Sequence, residues 1–136
     1  HLVFTDRFGV VCRSDHPLAR DWSDLRWSDL NGSQFIANGL CHHIQDDGFL
    51  PVLEASRLNI ANTASLLSMV RAGAGVTLLP ELAMQRADED LAFLPLLDSS
   101  ARREVWMLTP PETLMTPAAQ ALARAIRTAD LPGSPG

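Results

Sequence analysis

AGAGVTLLPEL (residues 72–82) sets two glycines directly ahead of an apolar, β-prone run. Glycine-rich steps hold phosphates when the order is strand, glycines, helix, because free N–H groups at a helix N-terminus are what meet the anion. Here the order is reversed. Leu66, Leu67, Met69 and Val70 form a helical stripe upstream of the glycines, and Val76 to Leu79 read as a strand after them. Gly73 therefore stands where a left-handed residue ends a helix, and Gly75 admits the chain into the strand. The glycines punctuate a helix-to-strand passage and do not form a nucleotide loop.

Upstream of this passage, Phe8 to Arg13 (FGVVCR) is an apolar, β-branched run closed by the turn cluster Ser14-Asp15-His16-Pro17. The near repeat WSDL at 22–25 and 27–30 offers Ser23 and Ser28 as N-caps of short helical turns, and its offset matches no solenoid period. A strand is predicted around Gln34 to Ala37, then a helix from about Cys41 to Phe49 that Pro51 interrupts. Arg57 to Ala61 is the next strand, and Asn62 or Thr63 opens a helix reaching Ala72. Downstream, Pro80 fits the first turn of a helix over Glu81 to Arg86, and Asp88-Glu89-Asp90 reads as a solvated acidic turn. A strand at Arg103 to Thr109 precedes an amphipathic helix from Pro117 to Ala129, with Thr116 as its cap. Alternating strands and helices predict an α/β layer structure with mainly parallel strands.

At 136 residues and 46% hydrophobic content the chain has enough apolar material for one core. Its formal charge of −5 and pI near 5.2 are the opposite of the basic surface that a phosphate backbone requires, so DNA binding by this stretch alone is not expected. All 11 basic residues are arginine. Cys12 and Cys41 lack CxxC spacing and read as reduced, buried thiols. Nothing at the start resembles a signal peptide, and no apolar run approaches the ~20 residues that span a bilayer, so the expected setting is cytoplasmic. His1-Leu2-Val3-Phe4 enters apolar sequence without an initiator Met, as expected of a piece whose upstream part has been removed.

The order of these elements and their wording resemble the C-terminal part of the effector-binding domain of LysR-type transcriptional regulators. The resemblance is carried by VVCRSDHPLA (10–19), WSDLNGSQFI (27–36), TASLLSMVRAGAGVTLLPE (63–81) and LTPPETLMTPAAQALARAI (108–126). It implies a periplasmic-binding-protein-like (type 2) α/β fold in which two subdomains flank a cleft, joined by crossing strands near Val3 to Cys12 and Glu104 to Thr109. On that pattern residues 1–109 are the second subdomain with its two crossing strands, 112–130 are a helix belonging to the first, and 131–136 are a flexible tail. The resemblance further implies a small organic, anionic effector, DNA contact only through an N-terminal domain outside this chain, and a homo-oligomer of the full-length protein. Such effector domains pair side by side, and the second subdomain would offer Arg57 to Ala61 and Thr63 to Ala72.

Topology gives a separate route to the site. In open α/β sheets ligands lie at the C-terminal ends of the strands, and two of those ends here are Ala37-Asn38-Gly39-Leu40 and Asn62-Thr63-Ala64. Each leads into a helix whose first N–H groups suit a carboxylate, and His42 lies in the first turn after one of them. Asn38 and Thr63 either receive a ligand or cap those helices. Cys41, His42, His43, Asp46 and Asp47 are the densest group of possible metal ligands, but adjacent histidines on a helix point about 100° apart and the spacing matches no metal motif. No metal or other cofactor is expected. Catalysis is not expected either, since there is no GxSxG elbow and Ser65 and Ser68 fall within a helix. Trp22, Trp27 and Trp106 read as packing residues rather than a base-stacking platform. A lobe of a transport-type solute-binding protein is the competing class, with an enzyme on a similar scaffold third.

Overall fold

The computed structural model describes residues 1–20, 25–84, 89–97 and 100–135. The chain divides into two compact units, one of His1–Asp6 with Arg103–Gly136 and one of Arg7–Arg102.

The larger unit takes β1 (Leu2–Arg13) from Arg7 onward, with β2 (Ile36–Ala37), β3 (Leu58–Asn59), β4 (Thr77–Pro80) and β5 (Leu91–Pro95), and the helices α1 (Leu50–Ala55) and α2 (Thr63–Arg71). β1 lies between β4 and β5 and runs antiparallel to both, with Phe8 opposite Pro80 and Val11 opposite Phe93. β2 and β3 pair in parallel, and a parallel bridge from Phe35 to Val76 joins them to the start of β4. The order is thus β3-β2-β4-β1-β5, and β6 (Arg102–Trp106) also pairs with β1. The parallel arrangement predicted from the sequence holds for β2, β3 and β4, which are linked by crossovers that return the chain to the same edge. β1 has no such link to its neighbours and runs against them.

Both faces of the sheet are covered, which is why β1 reads as a continuous apolar run. Phe8, Val10 and Cys12 belong to one layer with Trp27, Phe35, Phe49, Val76 and Leu78. Val11 belongs to the other, with Ile36, Leu66, Val70, Leu79 and Leu91. The alternation of period two continues through β4, where Leu78 and Leu79 serve opposite layers. Phe49 sits between Trp27 and Phe35, with ring centroids 5.0 and 5.7 Å away. Trp27 is therefore a packing residue; Trp22 lies outside the described residues. Trp106 is exposed, and its Nε1 donates to Glu104.

α2 meets the sheet through Leu66 and Val70, one turn apart on its inner face. Its end follows the Schellman pattern: the Gly73 N–H donates to Val70 O, the Ala74 N–H to Met69 O, and Gly73 has φ +80°. Gly75 is required for a different reason. Val76 N–H donates to Gln34 O at 2.8 Å, and this bridge brings the Gln34 carbonyl into the space a Cβ on residue 75 would occupy.

Several predicted elements are shorter or displaced. The helix read over Cys41 to Phe49 is a single 3-10 turn, Gly39–His43, followed by an irregular stretch. Asp46 Oδ1 takes the Gly48 N–H in a local turn that competes with helix formation. Pro51 does not interrupt a helix but sits in the first turn of α1, where its missing N–H costs nothing. Pro80 closes β4, and the helix expected at Glu81 to Arg86 is a 3-10 turn, Glu81–Met84, with residue 86 outside the described residues. Asp88 of the acidic turn is also outside them.

The smaller unit contains α3 (Pro117–Thr128), capped as its sequence predicts by Thr116, whose Oγ1 accepts from Ala119 N–H at 3.2 Å. Asp6, buried, pairs with Arg103 at 3.0 Å, and the Arg103 guanidinium lies over the Phe4 ring. Leu131 and Ser134 form a turn beside Gly133, whose carbonyl accepts from Thr5 N–H. Among the described residues no helix is long and apolar enough to cross a membrane.

Two glycine substitutions should separate conformational strain from steric collision. Gly73→Ala is expected to cost about 1–2 kcal/mol, the penalty of a left-handed alanine, since its new Cβ meets only the flexible Arg13 side chain. Gly75→Ala should cost more, because the obstacle is backbone. Chemical denaturation of the two variants checks the ranking.

Candidate functional site

Register places the C-terminal ends of three strands at one edge. Ile36 is opposite Leu58 and Phe35 opposite Val76, so Gly39, Ala61 and Pro80 stand level as the strands run out. Of the residues singled out from sequence, Ala37 ends β2 and Asn38, Gly39, Leu40 and His42 follow it, while Asn62, Thr63 and Ala64 follow β3. The link between the two groups is direct, since Ile60 N–H donates to Ala37 O at 2.9 Å.

Their environments differ sharply. Ala37 and Asn38 are buried; Leu40 is half-buried; Gly39, His42, Asn62, Thr63 and Ala64 are exposed. The Asn38 carboxamide has three partners within the fold. Its Oδ1 accepts from Leu40 N–H at 3.0 Å, capping the turn, and its Nδ2 donates to Thr77 Oγ1 at 3.1 Å and Leu78 O at 2.9 Å. Thr77 in turn donates to Ile36 O at 2.7 Å. Asn62, not Thr63, is the N-cap of α2, its Oδ1 accepting from Ser65 N–H at 2.9 Å. The N–H groups of Thr63 and Ala64 lie in the first turn, ahead of the intrahelical ladder, and their side chains are exposed. At Gly39 an added Cβ would meet nothing within 4 Å, so the surface there is open.

Cys41 completes the first turn, but its side chain points into the core, where burial pushes the thiol up from its ordinary range against the lowering effect of backbone hydrogen bonds. Cys12, also buried, is pushed up to about 11 by desolvation first and by the Asp15 charge second. His42 and His43 are both exposed, and among the described residues no three His, Cys, Asp or Glu side chains gather as a metal site.

One feature of this edge was not read from the sequence. Because Phe8 lies opposite Pro80, Arg7 and Glu81 continue the same register, and Arg7 clasps Glu81 through Nε at 2.6 Å and an NH2 group at 3.0 Å. The guanidinium also lies over the Phe93 ring, 5.9 Å from its centroid. The Arg7 hydrogen bond holds the Glu81 carboxyl below its usual range despite a small opposing effect of burial. A charged residue directly ahead of the apolar run Phe8 to Cys12 was the available signal, but its partner is set by pairing across 74 residues of chain.

A mixed sheet closed by crossover helices, with its loops and a helix N-terminus gathered at one edge, is the architecture of a periplasmic-binding-protein-like (type 2) ligand-binding domain. Comparison narrows this class to one family. The chain belongs to the LysR substrate binding domain family, whose profile matches residues 1–130, and the transport-lobe reading gives way to that of a regulator's effector-binding domain. Among curated proteins it is 30% identical over 132 residues to the DNA-binding transcriptional dual regulator OxyR of Escherichia coli K12, covering 92% of this chain and 43% of that protein. It is 26% identical over 132 residues to a hydrogen peroxide-inducible genes activator of Dickeya chrysanthemi, with the same coverages of 92% and 43%. The chain thus spans less than half the length of these relatives. Among solved structures, the Synechocystis CcmR regulatory domain in complex with 2-PG superposes with a TM-score of 0.71 at 17% identity, covering 93% of this chain and 64% of that one. The effector binding domain of QuiR in complex with shikimate gives 0.66 at 14% identity, covering 92% and 61%. These two likenesses establish the fold.

The two asparagines should behave differently when shortened. Asn38→Ala removes a cap and strands the buried Thr77 hydroxyl and Leu78 carbonyl contacts, and is expected to cost about 2–4 kcal/mol. Asn62→Ala removes an exposed cap alone and should cost about 1 kcal/mol. Equal losses in urea denaturation would contradict this assignment.

Proposed function

We propose that the edge built from Ala37, Asn38, Gly39, Leu40 and His42 with Asn62, Thr63 and Ala64 receives a small organic anion. The observation that carries this reading is the register that sets the open surface at Gly39 level with the exposed first turn of α2. The N–H groups of Thr63 and Ala64 and the positive end of the helix suit a carboxylate. Within this set Asn38 holds the loop in place, because its carboxamide is occupied by the fold, while Gly39, His42, Thr63 and Ala64 offer the contacts. The complexes of CcmR with 2-PG and QuiR with shikimate support a small acidic ligand. The role is binding, with no bond made or broken.

In the full-length protein, occupancy of this edge would change how a separate DNA-binding domain engages its operator in a homo-oligomer. The acidic balance of this chain leaves DNA contact to that other domain. β3, at the end of the sheet with Leu58 and Asn59 exposed, offers a surface for the neighbouring copy. A regulator of this class would work in the cytoplasm, where the DNA is.

A peroxide-responsive reading has one observation in its favour: relatives are named hydrogen peroxide-inducible genes activators, and Cys41 lies in the turn Gly39–His43. The thiolate is the reactive form, however, and burial disfavours it at Cys41. Ligand binding is the reading the geometry supports better.

Two measurements test this. A panel including shikimate and 2-phosphoglycolate should contain acids that raise the melting temperature of the chain, and Gly39→Leu, which puts a side chain on the open surface beyond a free Cβ position, should abolish the effect of those acids. A panel without any stabilising acid, or a variant that keeps the full response, would count against the site. Separately, iodoacetamide at neutral pH should modify Cys12 and Cys41 of the folded chain far more slowly than free cysteine, and both rapidly in urea. Fast modification of folded Cys41 would favour the peroxide reading.

A further inference from the structure

The clasp between Arg7 and Glu81 stands at the edge just described, and none of the residues proposed above for the site is Lys or Arg. β1 alternates with period two, so Arg7 and Gly9 share the face to which Val11 belongs, the layer that also holds Leu66 and Val70 of α2. By register α2 starts at the end of β3 that is level with Pro80, so its first turn lies toward the same end of the sheet as Arg7, with β2 and β4 between β3 and β1.

Arg7 is held in an orientation suited to binding. Gly9 has no side chain, and Phe93 fills the space a Cβ there would take, so the ring lies along β1 and supports the guanidinium from one face. The two hydrogen bonds to Glu81 are the paired geometry that a planar guanidinium makes with any carboxylate. Both side chains remain about half exposed, 48% and 46%, so a dissolved carboxylate can reach them.

Building on the reading of this edge as an anion site, we propose that Arg7 is the residue that recognises the effector's carboxylate, and that Glu81 occupies it until the effector takes its place. Glu81 acts as a built-in competitor. The exchange conserves charge at Arg7: one carboxylate leaves the guanidinium as another arrives. It also releases Glu81 at the start of the 3-10 turn that follows β4, so ligand arrival has a local structural consequence. The ligand class is a small acid whose carboxylate meets Arg7 while the rest of the molecule lies toward Gly39 and the first turn of α2.

Sodium acetate is the minimal probe, titrated against the chain at constant ionic strength with chloride as the balancing ion. NMR follows the Arg7 Nε–H and the backbone amides of Gly39 and Thr63 in the wild type, Glu81→Gln and Arg7→Lys. Removing the competitor in Glu81→Gln should lower the acetate midpoint about tenfold. Arg7→Lys keeps the charge but loses the paired geometry, and should raise the midpoint of the two amides about tenfold or abolish saturation. The inference is overturned if Glu81→Gln titrates within about twofold of the wild type, and this arm stands alone should Arg7→Lys fold poorly. Gly39 and Thr63 amides that saturate with one midpoint in all three proteins would remove Arg7 from the site while leaving the anion site itself intact. Amides that respond in none of them would remove both.

Discussion

The larger unit depends on a buried hydroxyl. Thr77 is fully enclosed, and its Oγ1 donates to Ile36 O while accepting from Asn38 Nδ2. These bonds run between β2 and β4, where the regular ladder consists of a single bridge at Phe35 and Val76. Beside them the backbone joins the pair β2-β3 to the rest of the sheet through the two bonds of that bridge, Ile36 N–H to Val76 O and Val76 N–H to Gln34 O. A valine at this position would fill the same volume but take away the hydroxyl that donates to the Ile36 carbonyl and one of the two acceptors of the Asn38 amide, which would keep only Leu78 O. The strand ends that gather at this edge are thus aligned by polar groups that the edge does not expose.

This division explains why the edge can be open without being loose. Asn38 faces inward and holds the loop, so Gly39 next to it needs no side chain to hold position. Asn62 does the same for α2, leaving Thr63 and Ala64 at the surface. In each loop one residue is committed to the fold while a residue beside it, Gly39 or Thr63, is released to solvent.

Much of this was legible in the sequence, for reasons that are local. The helix ending at Gly73, the strand after Gly75 and the cap at Thr116 follow from short-range geometry, and each stands where the residues indicate. The strand ends after Ala37 and before Asn62 were legible because short apolar runs give way there to turn and helix-cap residues. Cys41 to Phe49 was misread because apolar spacing suited a helix while Asp46 and Gly48 formed a turn instead. The Arg7–Glu81 clasp and the Thr77 network were hidden for another reason. They join residues far apart in the chain, and nothing in either residue's neighbourhood names its partner. Membership of the LysR family was visible from the order of motifs; the pairing of Arg7 with Glu81 was visible only in register.

The aromatic trio in the core gives the molecule an optical property. Trp27 is enclosed and stacked near Phe49, which follows the turn carrying Gly39 and His42, whereas Trp106 is more than half exposed at 54%. An enclosed indole emits at shorter wavelength and is shielded from acrylamide, while an exposed one is quenched. The emission of Trp27 therefore reports whether the segment between β2 and α1 stays packed, and it does so without any label.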